Sequence, residues 1–441
     1  MQTNAKVIYT LILALVLAVS ACFVTKPVVY ATLSDFVVKN QAKVYQSPCK
    51  NFLEYAPDNE NLNWYNPYYI KVNFHFIDHP ENNINFNEAE GRQYVKDLIH
   101  HANKHFNNNK KMHLPVGNNT AVLPINLQYV LTPDPSVTGD DGIHFHKDSV
   151  LWYINKKDKR GIYGLYSDAL YNKYGVQKEE VLNVFMLEHH PDSIASSTYK
   201  VASNGIGKPY YTKVTNSYFN YKETKTGKTS KGSWFAAPLL NHEIGHTFGL
   251  LHSWTRNDGC EDTPPNDNCW NNNGSPPCDV DVISNNLMDY NAYCNALTPC
   301  QIAKMHYKIS KNNSSQRKLV RADWCNYQAD KAIFIKDGEQ IEWTSAMFVY
   351  GDIIIQDGGQ LTLHCLTAMP AGSTIKIESG GSLVLNNGKL YNACNEKWNG
   401  IELVKTINKQ KGNVILIGDA SIENTKYNDD FSSIKQFQQQ Q

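Results

Sequence analysis

The sequence has no run of like charge. Its 42 basic and 42 acidic residues cancel to a formal net charge of zero, so it offers no basic stripe for a phosphate backbone and no polybasic membrane patch. No nucleic-acid partner is expected. Cysteines are scarce along much of the chain: none lies between Cys49 and Cys260. Long apolar runs are equally scarce, and only one stands out, near the N-terminus. What is abundant is Asn and Tyr, the composition of a soluble, hydrogen-bond-rich chain. At 441 residues the protein is too long for one ordinary core, and two or three domains are expected.

The one apolar run is "VIYTLILALVLAVSACFV", Val7 to Val24, behind Lys6. A membrane anchor is the plain alternative, but a run at the extreme N-terminus that ends in small residues fits an export signal. Two processing sites compete. "VSAC" ending at Cys22 has the form of a lipobox, in which a lipidated cysteine becomes the mature N-terminus and attaches the protein to a membrane. "VVYA" ending at Ala31 has the small-x-small form of an ordinary signal-peptidase site. Either one places the protein outside the cytoplasm, extracellular or on the cell surface, where thiols usually pair. Loss or lipidation of Cys22 leaves nine of the ten cysteines, so at least one is odd.

Residues 1–31 are therefore a leader, and 32–62 a pro-segment or N-terminal extension. The segment 63–325 reads as one α+β domain. Within it "YYIKVNFHFI" (68–77), "AVLPINLQYVL" (121–131), "SVLWYI" (149–154) and "EVLNVFML" (180–187) have strand patterns. "NEAEGRQYVKDLIHHANKHF" (87–106) and "TPCQIAKMHYKIS" (298–310) have helical ones. His100, His101 and His105 on the first helix read as solvated, and His144 and His146 as surface residues. Beyond 326 the pattern changes. "DIIIQDGGQLTL" (352–363) aligns without gaps on "TIKIESGGSLVL" (374–385), an offset of 22 residues. Alternating apolar residues with Gly-Gly turns at that period predict a short all-β, β-helix or solenoid-like region over 326–441. "WNGIELV" and "GNVILIGDASIEN" are candidates for a further, weaker coil.

The chemistry is concentrated in "NHEIGHTFGLLHSW", Asn241 to Trp254. Three imidazoles and a carboxylate in an otherwise apolar helix, predicted to start at Pro238, cost free energy unless each has a partner. His242 and His246, four residues apart, share one helix face. Gly249 permits the sharp turn that aims His252 at the same point. Three neutral imidazoles with an open fourth position are the donor set of a catalytic zinc ion, and Glu243 projects beside them as a base. Gly245 keeps the helix slim where another element packs closely. Such spacing arises by chance on the order of 10⁻⁴ times per chain of this composition.

Together with "GCEDTPP", the spaced cysteines, "NLMDY" and "LTPCQIAKMH", this motif resembles the metzincin zinc metalloproteases, and within them the pappalysins, including the cytophagalysin-like members. The resemblance spans roughly 235–310. It implies a twisted mixed sheet with an active-site helix, Met288 as the Met-turn residue beneath the metal, and endopeptidase action on a protein or peptide substrate. Tyr290 takes the place of a tyrosine that stabilises the oxyanion, or is a packed aromatic. Disulfides Cys260–Cys278 and Cys269–Cys294 are implied. Asp258, Glu261, Asp262 and Asp267 are either calcium ligands or a solvated acidic loop. Cys49 is either a latency thiol capping the zinc or an ordinary cysteine, because no Arg-x-Cys-Gly motif is present. Some pappalysins favour Arg or Lys after the scissile bond, but "NAYC" after Tyr290 lacks the acid this requires.

The alternative is a non-catalytic surface adhesin or matrix-binding protein on the same scaffold, from which the intact set of His242, Glu243, His246 and His252 distinguishes the enzyme. No feature sets an oligomeric state. Mass spectrometry of the native protein is expected to find a diacylated N-terminal Cys22 or an N-terminal Thr32. An intact Met1 on cytoplasmic protein would defeat both.

Overall fold

The computed structural model describes residues 28–39, 44–45, 49–155, 157–158, 160–199, 204–225, 232–253, 257–266, 283–291, 293–405, 410–428 and 430–431. The leader segment, Cys22, Cys269 and Cys278 lie outside the described residues. Among the described residues no helix is long and apolar enough to cross a membrane. The chain divides into two units, one formed by 49–323 with 344–348, the other by 1–48, 324–343 and 349–441.

The first unit is built on a mixed sheet in the order β4-β3-β7-β9-β8, with β5 also pairing β3 and β6 pairing β7. The strands are β3 (Tyr68–Asp78), β4 (Leu127–Leu131), β5 (Ile143–Lys147), β6 (Tyr153–Ile154), β7 (Leu182–His189), β8 (Gly205–Gly207) and β9 (Tyr211–Thr215). All neighbours run parallel except β8, which runs antiparallel to β9 and forms the sheet edge. Parallel strands are covered on both faces, and β7 is buried along its whole length. In β3 the alternation separates two buried faces. Ile70, Val72, Phe74 and Phe76 occupy one, while Asn73 and His75 occupy the other.

That second face corrects the reading of His144 and His146 as surface residues. His75 Nε2 lies 2.9 Å from Asn183 Oδ1 and His75 Nδ1 lies 3.0 Å from His146 Nε2, while His144 stacks on His75 with centroids 4.7 Å apart. Hydrogen bonds to Asn183 and His146 let the His75 ring be buried, while His144 and His146 are half-buried against it. His101 and His105 are likewise not simply solvated. His101 Nδ1 lies 3.0 Å from Ser233 Oγ, and the His105 ring packs 4.4 Å from that of Trp234.

Helices α1 (Glu88–Phe106), α2 (Ala169–Tyr174), α3 (Pro191–Ala195), α4 (Ser217–Lys225), α5 (Ser233–Thr247) and α6 (Pro299–Ser310) accompany the sheet. Asn87 caps α1 through Glu90 N at 2.9 Å, and Thr298 caps α6 in a capping box with Gln301. Helix α5 starts five residues before Pro238, at Ser233. The ring at 238 forfeits one intrahelical hydrogen bond, so it lies within the helix rather than opening it. Two expected strands are shorter than their apolar runs. Asn126 has φ of 56° just before β4. Before β6, Val150 N and Leu151 N turn back to Asp148 Oδ1 at 2.8 and 3.0 Å.

In the second unit β1 (Val28–Tyr30), β2 (Phe36–Val38), β10 (Ile333–Ile335), β11 (Gln340–Trp343), β13 (Ile353–Ile355), β14 (Gln360–Leu363), β15 (Leu366–Ala368), β16 (Thr374–Ile377), β17 (Ser382–Asn386), β18 (Lys389–Tyr391), β19 (Gly400–Val404), β20 (Asn413–Ile417) and β21 (Ser421–Ile422) stack in three sheets, in the orders β1-β19-β16-β13-β10, β11-β14-β17-β20-β2 and β15-β18-β21. β12 (Met347–Phe348) belongs to the first unit. The residues that coincide in the sequence repeat stand directly over one another, Ile353 on Ile375, Ile355 on Ile377, Leu361 on Leu383 and Leu363 on Leu385. An earlier pass that the sequence pattern did not reveal adds Ile333 and Ile335 beneath Ile353 and Ile355. N-terminal residues complete one side. β1 (Val28–Tyr30) pairs antiparallel with β19 (Gly400–Val404), and β2 (Phe36–Val38) pairs parallel with β20 (Asn413–Ile417).

The cysteine pairing differs from the one the resemblance implied. Cys260 bonds to Cys300, at the start of α6, and Cys294 keeps a thiol. Cys325 bonds to Cys394 within the β-stack. Cys49 is also disulfide-bonded, so it has no thiolate left for a latency switch. The loop after α5 folds back onto the N-terminus of α6, which brings Cys300 rather than Cys278 to Cys260. Non-reducing peptide mapping should recover both bridges and find Cys294 alkylated only after denaturation. The Cys260–Cys300 bridge spans 40 residues, so Cys300→Ser is expected to cost about 4 kcal/mol of stability in the chain-entropy model.

Candidate active site

Helix α5 carries His242, Glu243 and His246 against the edge strand β8, and it ends in a turn that reverses the chain. Gly249, at φ of 91°, donates its N–H to His246 O at 3.0 Å, and Leu250 N donates to Gly245 O at 2.9 Å. This is a Schellman closure, which satisfies the last carbonyls and requires the left-handed residue that glycine supplies. The turn also fixes a side chain, since His246 Nδ1 lies 2.9 Å from Leu250 O. His242 Nδ1 lies 2.6 Å from Leu287 O, just before Met288.

These contacts set the tautomers. A carbonyl only accepts, so each of these rings carries its proton on Nδ1 and presents a bare lone pair at Nε2. Both lone pairs point at His252, whose Nε2 lies 3.1 Å from that of His242 and 3.0 Å from that of His246. One proton on His252 could serve only one of them. Burial, helped by the neighbouring histidines, holds His242 down to about 3, and burial lowers His246 as well, so both rings are neutral at pH 7. Three convergent neutral nitrogens with orientation fixed from behind fit a divalent metal ion of the zinc type.

Glu243 is 5 % exposed, and burial pushes its carboxyl up to about 8 against the lowering effect of a hydrogen bond from the Gly207 backbone. Tyr290 is 49 % exposed, with its ring 4.8 Å from that of His252 and 5.9 Å from that of His242. Met288 is fully buried below the helix, where a Cβ on Gly245 would collide with its Sδ. The structure thus brings His242, Glu243, His246, His252, Met288 and Tyr290 together.

Other candidates go elsewhere. Asp258 Oδ1 accepts from Cys260 N and Thr263 Oγ1 at 3.0 and 2.8 Å, and Asp262 Oδ2 accepts from Cys300 N at 3.1 Å. Asp267 lies outside the described residues. With these carboxylates engaged in local turns and a helix cap, the calcium expectation gains no support. Cys294 is held in the Met288 turn, its N–H donating to Asn291 Oδ1 at 2.7 Å.

Two groups of site residues had no sequence signal. Asp289 is buried and accepts from Ser253 Oγ, Ser284 Oγ and Asn266 Nδ2 at 2.7, 2.6 and 2.9 Å. It ties the residue after His252 to the turn bearing Met288. The other group is Gly205 and Gly207, whose missing side chains let β8 lie against Glu243. A Cβ on Gly205 would come within 2.5 Å of Glu243 Cγ and Oε1, and one on Gly207 would strike Glu243 O.

Residues 166–310 match the peptidase M43 family model, described as pregnancy-associated plasma protein-A. No curated protein matches the sequence. Among solved structures, the chain is similar to mature mirolysin of Tannerella forsythia in complex with a cleaved peptide, at 17 % identity and a TM-score of 0.40, covering 58 % of this chain and 96 % of that one. A promirolysin mutant of the same organism matches at 16 % identity and a TM-score of 0.38, over 58 % and 84 % of the two chains.

The glycines are separable by experiment. Gly205→Ala meets only a side chain, so it should displace the Glu243 carboxylate and reduce peptide cleavage by about 10²-fold with little change in melting temperature. Gly207→Ala meets backbone, which cannot yield, and should lower the melting temperature itself.

Proposed function

We propose that residues 166–310, which match the peptidase M43 family model, form the peptidase segment of a pappalysin-like metzincin, and that the protein is an exported zinc endopeptidase cutting internal bonds of proteins or peptides. The observation that carries this reading is the convergence of the His242, His246 and His252 Nε2 atoms, with the first two rings locked by carbonyls and Glu243 alongside. Zinc, held by the three histidines, supplies Lewis acidity toward the scissile carbonyl and lowers the pKa of water.

Glu243 is the general base. Buried beside the metal-binding rings, it takes the proton of the attacking water and delivers it to the leaving amine. A nearby cation favours the carboxylate, so metal loading opposes the upward shift that burial imposes. Tyr290 offers its hydroxyl to the tetrahedral oxyanion, supported by the closeness of its ring to His252. Met288 gives His242 and His246 an apolar base. Export is supported by the disulfides, which belong to oxidising compartments. We read the stacked parallel strands as a short β-solenoid appended to the catalytic domain, supported by the in-register isoleucines and leucines.

Chelation should abolish cleavage of a peptide blocked at both termini, and zinc should restore it. Glu243→Ala should keep zinc while losing about 10²–10⁴-fold in rate. His246→Ala should lose metal and activity together, because three ligands cannot spare one. Tyr290→Phe should lose rate modestly. Parental cleavage of the blocked peptide by Glu243→Ala would refute the assigned base.

A further inference from the structure

One rim of the site carries a cation that forms no ion pair among the described residues. Lys208 follows β8 directly and is fixed at both backbone groups, its N–H donating to Tyr211 O at 2.9 Å and its carbonyl accepting from Thr247 Oγ1 at 3.1 Å. It therefore sits at the end of the strand that lies against Glu243, one helical turn further along α5. Its ammonium lies 5.8 Å from the centroid of the Tyr166 ring. Tyr166 is 55 % exposed. Gly207, the residue before Lys208, lies so close to α5 that a Cβ there would meet Glu243 O and His246 Cβ.

The rim is held rigidly. Lys213, buried in β9, donates from Nζ to Gly164 O at 3.0 Å and to Ser167 O at 2.7 Å, and so fixes the turn that bears Tyr166. Among the described residues Lys208 has no ion-pair partner. The carboxylates nearby are committed elsewhere. Asp168 accepts from Tyr211 Oη at 2.5 Å, and Asp289 is enclosed by Ser253, Ser284 and Asn266. Beyond the Met288 turn stands Asn291, not an acid, and its Oδ1 accepts from Tyr293 N and Cys294 N at 2.8 and 2.7 Å. An acidic substrate side chain finds here an ammonium presented on an aromatic face.

We propose that Lys208 is a specificity determinant that pairs with an Asp or Glu side chain of the substrate close to the scissile bond, with Tyr166 holding the ammonium in place. The inference rests on the endopeptidase reading above.

The test uses the full-length zinc-loaded protein and a library of peptides blocked at both termini, with cut sites read by mass spectrometry. Acidic residues should be enriched at one position flanking the cut. Paired peptides differing only by Glu or Lys there should differ by about tenfold or more in kcat/KM, less so at high salt. Lys208→Glu should invert that ratio, Lys208→Met should bring it towards one, and Tyr166→Ala should weaken it. The uncleaving Glu243→Ala protein should show the same order of affinities by fluorescence anisotropy. Cleavage without an acidic preference, or a preference unchanged in Lys208→Glu, overturns the role of Lys208 while leaving the endopeptidase reading intact. Failure of the zinc-loaded protein to cut any peptide overturns that reading and the inference with it.

Discussion

Three imidazole nitrogens that point at one another, two of them stripped of protons by backbone carbonyls behind the rings, are the constraint on which this protein turns. Lone pairs held about 3 Å apart repel, and a protein accepts that only where a cation offsets it. The surroundings of the site serve this arrangement. The Schellman closure at Gly249 orients His246 and reverses the chain towards His252. The carbonyl of Leu287 orients His242. Met288 fills the space beneath, and Gly245 makes room for its sulfur. Asp289 ties the His252 loop to the Met288 turn through three hydrogen bonds. Ligand geometry is therefore fixed by backbone and second-layer contacts rather than by the histidines alone.

The edge strand β8 does a different job. By lacking side chains at Gly205 and Gly207 it approaches Glu243 closely enough to exclude water from one side of the carboxylate and to direct the Gly207 N–H at it. The same strand then delivers Lys208 to the rim. One three-residue edge thus sets the contact with Glu243 and the position of Lys208, and the buried Lys213 in the neighbouring strand fixes the turn from Gly164 to Ser167. The β-stacked unit holds together by other means: isoleucines and leucines repeated in register, and the Cys325–Cys394 bridge.

Much of the site was legible in the sequence because its geometry is local. A four-residue helical spacing, a glycine able to adopt positive φ and a histidine three residues on are determined by backbone stereochemistry within a dozen residues. So were β3, α1 and α6, whose periodicities and caps lie within single segments, and the two passes of the β-stack that repeat each other residue for residue. What the sequence could not display were relations between distant segments. The partner of Cys260 depends on where the loop after α5 returns, and that return puts Cys300 beside it. His75, His144 and His146 share a buried face because β3 and β5 are neighbours, which no local pattern records. Gly205, Asp289 and Lys208 matter only through groups brought to them by folding. Residues 28–38 read as leader and extension, yet they supply two strands of the β-stack, too short for periodicity to reveal. By itself, then, the sequence determined the convergence of His242, His246 and His252, because their spacing is set by bonds along one helix and one turn. Tertiary structure alone decided the disulfide partners, the clamp around Met288 and the placement of Lys208 beside α5, because those depend on through-space distances between segments far apart in the chain.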